Sequence, residues 1–196
     1  TSVEIVRLRP VDPRQRTHYQ YHFDWRAGRR GALTTSAVPY DLPWTQGRFE
    51  VDQADFGTFS HQQGSGDEHA IDFSMPVGTL VTAAREGVVV ALRQDTERGG
   101  ADPALLKLSN HVIVLHDDGT LAEYYHLSHQ GVRVELGQRL ERGTPIGLSG
   151  NTGFSSGPHL HFAVFQTIDG KTRRTLPVLF RTRSGRVEHL RVGTSY

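Results

Sequence analysis

Short apolar or alternating runs, separated by turn residues, dominate the middle of the chain. Each run has the length and composition of a β-strand, and we find no long amphipathic helical pattern. Asp118-Gly119 lies between two such runs and is typical of a β-hairpin turn. The sequence therefore predicts an all-β fold. The predicted strands are Ala70–Phe73, Thr79–Ala83, Gly87–Leu92, His111–His116, Ala122–His126 and His159–Phe165.

Composition changes along the chain and suggests three parts. We interpret residues 1–46, which include an aromatic-rich stretch, as an N-terminal accessory β segment, and residues 47–165 as the organised core. Residues 166–196 carry seven basic residues against only Asp169 and Glu188. We expect these C-terminal basic strands to pack on the core with solvated arginines. A patch that binds an anionic polymer is the alternative.

Overall charge and residue usage exclude several classes of protein. Twenty-two basic residues against 21 acidic ones give a formal charge of +1, so no nucleic-acid partner is expected. There is no cysteine, which excludes disulfides and cysteine–zinc sites. No apolar run reaches transmembrane length. The sequence starts at Thr1, so a signal or anchor removed earlier would not be visible in it. We expect a monomer.

Candidate chemistry centres on His159-Leu160-His161. In a strand, residues i and i+2 point to the same face about 6.6–7 Å apart, so both imidazoles face one spot. Imidazole is the commonest metal ligand and the usual acid or base near neutral pH. Asp72, between two apolar residues, and His126, at the end of another predicted strand, suggest a zinc site with additional catalytic histidines. Taken singly, each of the four could equally be an ordinary surface or strand-end residue.

Several motifs, in order and with similar spacing, resemble those of the lysostaphin-type (LytM-like) zinc peptidases. The resemblance runs from about residue 40 to 165. The motifs that carry it are Gly78–Val81 with Ala83–Val89, then Asp118–Thr120 with Tyr125–Leu127, and Gly147–Gly153 with Gly157–Phe162.

The resemblance implies both a fold and a set of roles. It implies antiparallel β-sheets in a two-layer, sandwich-like core, with long glycine-rich loops around a groove. Zn²⁺ is the implied cofactor, with Asp72 and His161 as ligands and His126 and His159 as catalytic histidines that do not bind the metal. Members of this family mostly cut cross-bridge peptides of bacterial peptidoglycan. The implied partner is therefore a peptidoglycan peptide, and the implied location is the cell envelope, either periplasmic or extracellular.

The first zinc ligand departs from the family pattern, in which a histidine lies four residues before the aspartate. That position is Glu68 here, whereas His69 lies only three residues before Asp72. An odd separation puts two residues on opposite faces of a strand unless a bulge intervenes. We prefer His61, because the loop containing Gly64–Gly66 is flexible enough to fold it back onto Asp72. His69 and then Glu68 remain as alternatives.

The resulting hypothesis is a zinc-dependent endopeptidase that hydrolyses peptidoglycan cross-links. Three protein ligands leave a fourth position for water, which zinc activates for attack. His126 and His159 would assist proton transfer or stabilise the oxyanion. The alternative, suggested by the displaced ligand, is a degenerate member that binds cell wall or activates a partner hydrolase. A carrier module similar to a biotinyl domain is disfavoured, because the segment that resembles one offers no obvious exposed hairpin lysine.

Overall fold

The computed structural model describes residues 38–57, 60–170 and 172–196. Most of the predicted N-terminal accessory segment, residues 1–37, lies outside the described residues, as does Lys171 of the basic C-terminal part.

The described residues form strands joined by loops and one short 3₁₀-helix, with no α-helix among them. The elements are β1 (Tyr40–Asp41), β2 (Val51–Gln53), β3 (Ile71–Ser74), β4 (Leu80–Thr82), β5 (Gly87–Arg93), β6 (Gly99–Gly100), the 3₁₀-helix η1 (Pro103–Leu105), β7 (His111–Leu115), β8 (Leu121–Tyr125), β9 (Arg139–Leu140), β10 (Pro145–Leu148), β11 (Gly153–Phe154), β12 (His159–Thr167), β13 (Arg173–Leu176), β14 (Phe180–Arg181) and β15 (Val187–Glu188). The predicted all-β fold is confirmed.

An eight-stranded sheet organises the molecule. Its order is β2-β3-β12-β8-β7-β5-β9, and β13 pairs with the far end of β12. The nine-residue β12 runs antiparallel to both β3 and β8. The hairpin predicted at Asp118-Gly119 joins β7 to β8. Because residues directly opposite each other share a face, these registers decide which side chains meet.

Alternating burial at the start of β12, from His159 to Phe162, gives this part of the sheet two different faces. Leu160, Phe162 and Val164 are fully buried on one face. A second layer covers that face, and from it Tyr40 and Phe180 place their ring centroids 6.0 and 5.6 Å from Phe162. The apolar half of the alternation therefore builds a two-layer core, and His159 and His161 are left on the opposite, open face.

Both ends of the described chain take part in this second layer. β1 pairs in parallel with β14, which pairs with β15. Trp44 is 3% exposed and packs against Phe49 and Phe73. The divisions expected at residues 46 and 165 remain predictions. No helix in the described part of the chain is long and apolar enough to cross a membrane.

Candidate metal centre

The open face of the central sheet carries a groove with a volume of about 840 Å³. Register brings its polar residues together: His161 of β12 lies opposite Asp72 of β3 on one side and Tyr125 of β8 on the other. His159, two residues earlier, shares that face and lies opposite Ser74. The bottom of the groove is therefore lined by polar side chains on the face of the sheet that points away from the apolar core.

Three potential metal ligands converge at this floor. Nδ1 of His161 lies 2.9 Å from Oδ1 of Asp72, and Nε2 of His61 lies 3.4 Å from Oδ2. One nitrogen or oxygen from each of the three residues lies within 4.8 Å of the others. His61 belongs to the loop before β3 and is fully buried. The structure thus brings together the three residues preferred as ligands from the sequence.

The bonding of His61 tests whether this group fits a metal ion. Neither ring nitrogen has a hydrogen-bond partner among the described residues, although both are buried. Leaving a buried polar atom unpaired costs roughly 1–3 kcal/mol, so such atoms normally have a partner. Two imidazoles and one carboxylate form a donor set that suits a catalytic zinc ion. The residues therefore fit the cofactor expected from the sequence.

His69 and Glu68 make other contacts. Nδ1 of His69 lies 3.1 Å from Oδ1 of Asp55, and the N–H of Gly64 donates to Oε2 of Glu68 at 2.9 Å. Within the described ranges, neither residue belongs to the group formed by His61, Asp72 and His161.

The two predicted catalytic histidines lie side by side, with ring centroids 4.4 Å apart. Nδ1 of His126 is 2.7 Å from the carbonyl oxygen of Thr152, and Nδ1 of His159 is 2.8 Å from that of Gly157. A carbonyl oxygen only accepts, so each Nδ1 carries the proton that it donates. In the neutral ring this leaves a lone pair on Nε2, which is the arrangement of a general base.

Burial and neighbouring charge separate the proton affinities in this cluster. Burial, together with the adjacent His159 and His161, lowers the pKa of His126 to about 3. Burial also lowers the pKa of His161, but contacts with Asp72 and Glu123 outweigh this and raise it to about 10. Burial raises the pKa of Asp72, yet its contacts with His161 and His61 bring it well below the usual range. Near neutral pH, His126 is therefore uncharged.

Sequence reasoning missed an ionic network beside His161. Arg173 donates from Nη1 to both carboxylate oxygens of Glu123, at 2.8 and 2.7 Å, and its Nη2 contacts Asp67. The basic stretch around Arg173 predicts a solvated arginine, whereas its side chain is only 17% exposed. The position of Glu123 could have placed it in this network. It lies two residues before Tyr125 on the predicted strand, so the two side chains share a face of the sheet.

Comparison with known proteins identifies the family. The sequence profile of peptidase family M23 matches residues 66–174, more than half of the chain. The chain belongs to peptidase family M23.

Curated relatives of this M23 chain include cell-wall enzymes. It is 42% identical over 91 residues to the peptidoglycan DD-endopeptidase ShyA of Vibrio cholerae, covering 46% of this chain and 18% of ShyA. It is 33% identical over 108 residues to lysostaphin of Staphylococcus simulans, covering 55% of this chain and 20% of lysostaphin. The M23 chain thus matches about a fifth of the length of each of these relatives.

Solved structures agree with the M23 assignment. The catalytic domain of the prophage-encoded M23 protein EnpA from Enterococcus faecalis, solved as a point mutant, has a TM-score of 0.50 and 26% identity. The match covers 67% of this chain and 92% of that domain. The deep-sea M23 metalloprotease pseudoalterin has a TM-score of 0.51 and 20% identity, covering 82% of this chain and 95% of that one, and shows the likeness of fold alone.

Proposed function

We propose that this chain is a zinc-dependent endopeptidase that hydrolyses peptide cross-links of bacterial peptidoglycan. One observation carries the proposal. Both ring nitrogens of His61 are buried without a hydrogen bond, and the residue lies beside Asp72 and His161 in a groove that also presents His126 and His159. Three protein ligands leave the fourth position of a catalytic zinc ion open for water or substrate, and two further histidines stand ready beside it.

In this proposal His61, Asp72 and His161 would hold the metal. A bound zinc ion would lower the pKa of a water molecule and polarise the scissile carbonyl group. Gln53 donates from Nε2 to Oδ2 of Asp72 at 2.8 Å and so orients the carboxylate. Fixing the orientation of a ligand in this way raises metal affinity.

His126 and His159 would move the protons. Each is anchored through Nδ1 to a backbone carbonyl, so each offers Nε2 to the groove. An imidazole held this way takes a proton from the attacking water and returns it to the leaving amine. Once protonated, the same group donates a hydrogen bond to the developing oxyanion. The lowered pKa of His126 supports a role that starts from the neutral ring.

The substrate is inferred from the relatives. ShyA is named a peptidoglycan DD-endopeptidase, and ALE-1 of Staphylococcus capitis, 35% identical over 108 residues, is named a glycyl-glycine endopeptidase. The open groove suits an extended peptide better than an enclosed pocket would. A peptidoglycan substrate implies action in the periplasm or outside the cell.

The alternative of a non-catalytic cell-wall binder rests on the missing histidine at position 68. The position of His61, with Nε2 3.4 Å from Oδ2 of Asp72, supports a complete ligand set and so favours the enzyme. No observation within the described ranges favours the alternative over the enzyme.

Incubating cross-linked muropeptides with purified protein that carries one equivalent of zinc tests this function. We expect mass spectrometry to find products separated at a peptide bond of the cross-bridge. A chelator should abolish cleavage, and added zinc should restore it. A zinc-loaded protein that cleaves neither D-alanyl nor glycyl cross-links would contradict the proposal.

A further inference from the structure

The imidazole of His161 lies between two carboxylates. Nδ1 is 2.9 Å from Oδ1 of Asp72, and Nε2 is 3.7 Å from Oε1 of Glu123. Glu123 pairs with Ala163 across the β8–β12 ladder, diagonally from His161. The small side chain of Ala163 leaves the carboxylate of Glu123 within reach of the ring.

Glu123 is 1% exposed, and a buried carboxylate is unfavourable without a cation. Arg173 supplies that cation through two hydrogen bonds from Nη1. The register of β13 on β12 delivers Arg173 to this face, with its guanidinium carbon 5.2 Å from the ring centre of Phe165. The position of the Glu123 carboxylate is therefore fixed by two strands and one arginine.

A second metal ion does not account for this network. Atoms of Asp67, Glu123 and His161 also lie within 4.8 Å of one another and could form a separate cation site. The guanidinium of Arg173, however, already contacts both carboxylates. Arg173 therefore supplies the positive charge that the carboxylates of Asp67 and Glu123 require, and no second metal ion is needed.

We propose that Glu123, held by Arg173, is a positioning residue for the metal centre and acts through His161. By attracting the ring proton to Nε2, Glu123 leaves the lone pair of Nδ1 available for the metal on the side of Asp72. A carboxylate that holds the second nitrogen of a metal-binding histidine fixes both its tautomer and its ring orientation. This inference rests on the proposed zinc site, and it assigns Glu123, Asp67 and Arg173 a common purpose.

Zinc affinity tests the inference without relying on activity. The variants are Glu123→Gln and Arg173→Met, with Arg174→Met as the matched control, because Arg174 is exposed on the same strand. Affinity is measured by competition with a chromophoric chelator. We expect Glu123→Gln and Arg173→Met to bind zinc roughly 10–100-fold more weakly. Arg174→Met should stay within about two-fold of wild type.

Two further measurements separate positioning from a general effect on folding. Thermal unfolding of the metal-free variants checks that Glu123→Gln, which keeps the side-chain shape, remains folded. In zinc-loaded wild type, the Nε2 proton of His161 should give a slowly exchanging NMR signal that Glu123→Gln broadens or removes. A folded Glu123→Gln variant with wild-type zinc affinity would overturn the inference. A wild-type protein that binds no zinc would instead overturn the proposed function.

Discussion

At the residue scale, the contact made by Nδ1 distinguishes the histidines of the groove. His126 and His159 donate from Nδ1 to backbone carbonyls, whereas Nδ1 of His161 faces the carboxylate of Asp72. A carbonyl fixes one tautomer and leaves a basic nitrogen facing the groove. A carboxylate instead supplies an anionic metal ligand beside the imidazole. This difference underlies the proposed division between proton transfer and metal binding.

Replacing either proposed proton-transfer residue tests that division. His126→Gln and His159→Gln should lower turnover of cross-linked muropeptides by about 10²–10⁴-fold, because glutamine hydrogen-bonds but does not exchange protons. Zinc content should remain at the wild-type level in both variants. Rates and elemental analysis on the same samples give the answer. If both variants lose zinc, the division of roles is wrong.

His116, a buried histidine that does not line the groove, leads to a prediction of how stability depends on pH. Nδ1 of His116 lies 2.6 Å from the carbonyl oxygen of Glu86, and Nε2 has no hydrogen-bond partner among the described residues. Burial, assisted by the charge of Arg85, outweighs the opposing hydrogen bond to the Glu86 carbonyl and the charge of Asp118, and lowers the pKa of His116 to about 4. Between the unfolded value of 6.5 and this value, the unfolded chain takes up a proton that the folded chain does not. Stability therefore falls as pH drops through that window.

The variant His116→Gln isolates this contribution. Urea unfolding of wild type and variant is compared from pH 8 to pH 4. The difference between their free energies of unfolding should be constant above pH 6.5. Below pH 6.5, wild type should lose up to roughly 3 kcal/mol of stability relative to the variant. A difference that stays flat across the whole range would show that His116 titrates normally in the folded protein.

At the element scale, strand register assembles the site, and this limits what sequence can predict. Alternation alone predicts that His159 and His161 share a face and that Phe162 does not. It does not say that β3 lies beside β12 with Asp72 opposite His161, because register depends on packing between distant segments. The glycines of the loop bearing His61 likewise allow it to fold back onto Asp72, but local sequence does not show that it does.

The charged residues beside His161 show a second limit of sequence reasoning. Arg173 belongs to a basic stretch whose average character predicts solvent exposure. Its pairing with Glu123 follows from two separate ladders, β8–β12 and β12–β13. Local composition does not predict such an ion pair between residues of different strands.

The short strands β6 and β11 approach each other closely and support one wall of the groove. β6 and β11 pair in parallel, and a Cβ added at Gly99 would lie 1.5 Å from the carbonyl oxygen of Asn151. Gly99→Ala should therefore lower the free energy of unfolding by roughly 1–3 kcal/mol. Gly157→Ala is the control for stability, because a Cβ there meets no described atom within 4 Å. Equal stability of the two variants in urea unfolding would refute the close approach.

At the scale of the whole molecule, segments near both ends of the described chain pack behind the site. Tyr40 and Phe180, from β1 and β14, pack on Phe162 of β12, directly behind the strand that carries His161. Sequence patterns suggested divisions at residues 46 and 165, with the C-terminal strands packing on the core, because local pattern reveals strands but not which layer they join. Described residues on both sides of those divisions contribute to the same core.

Removing one aromatic residue of this layer tests its contribution. Trp44→Ala should lower the free energy of unfolding by about 3–5 kcal/mol, as expected for a large buried side chain. Leu136→Ala is the control, since Leu136 is 69% exposed and should change stability by less than about 0.5 kcal/mol. Urea unfolding measures both. A Trp44→Ala variant as stable as the control would mean that this segment does not belong to the core.

The most direct test of the account is zinc content by elemental analysis of wild type, His61→Ala and His69→Ala. The two histidines lie in the same segment of the chain, but only His61 has its nitrogens beside Asp72 and His161. We predict one zinc per chain in wild type and in His69→Ala, and loss of zinc in His61→Ala. Zinc lost only in His69→Ala, or absent from wild type after metal loading, would contradict the account.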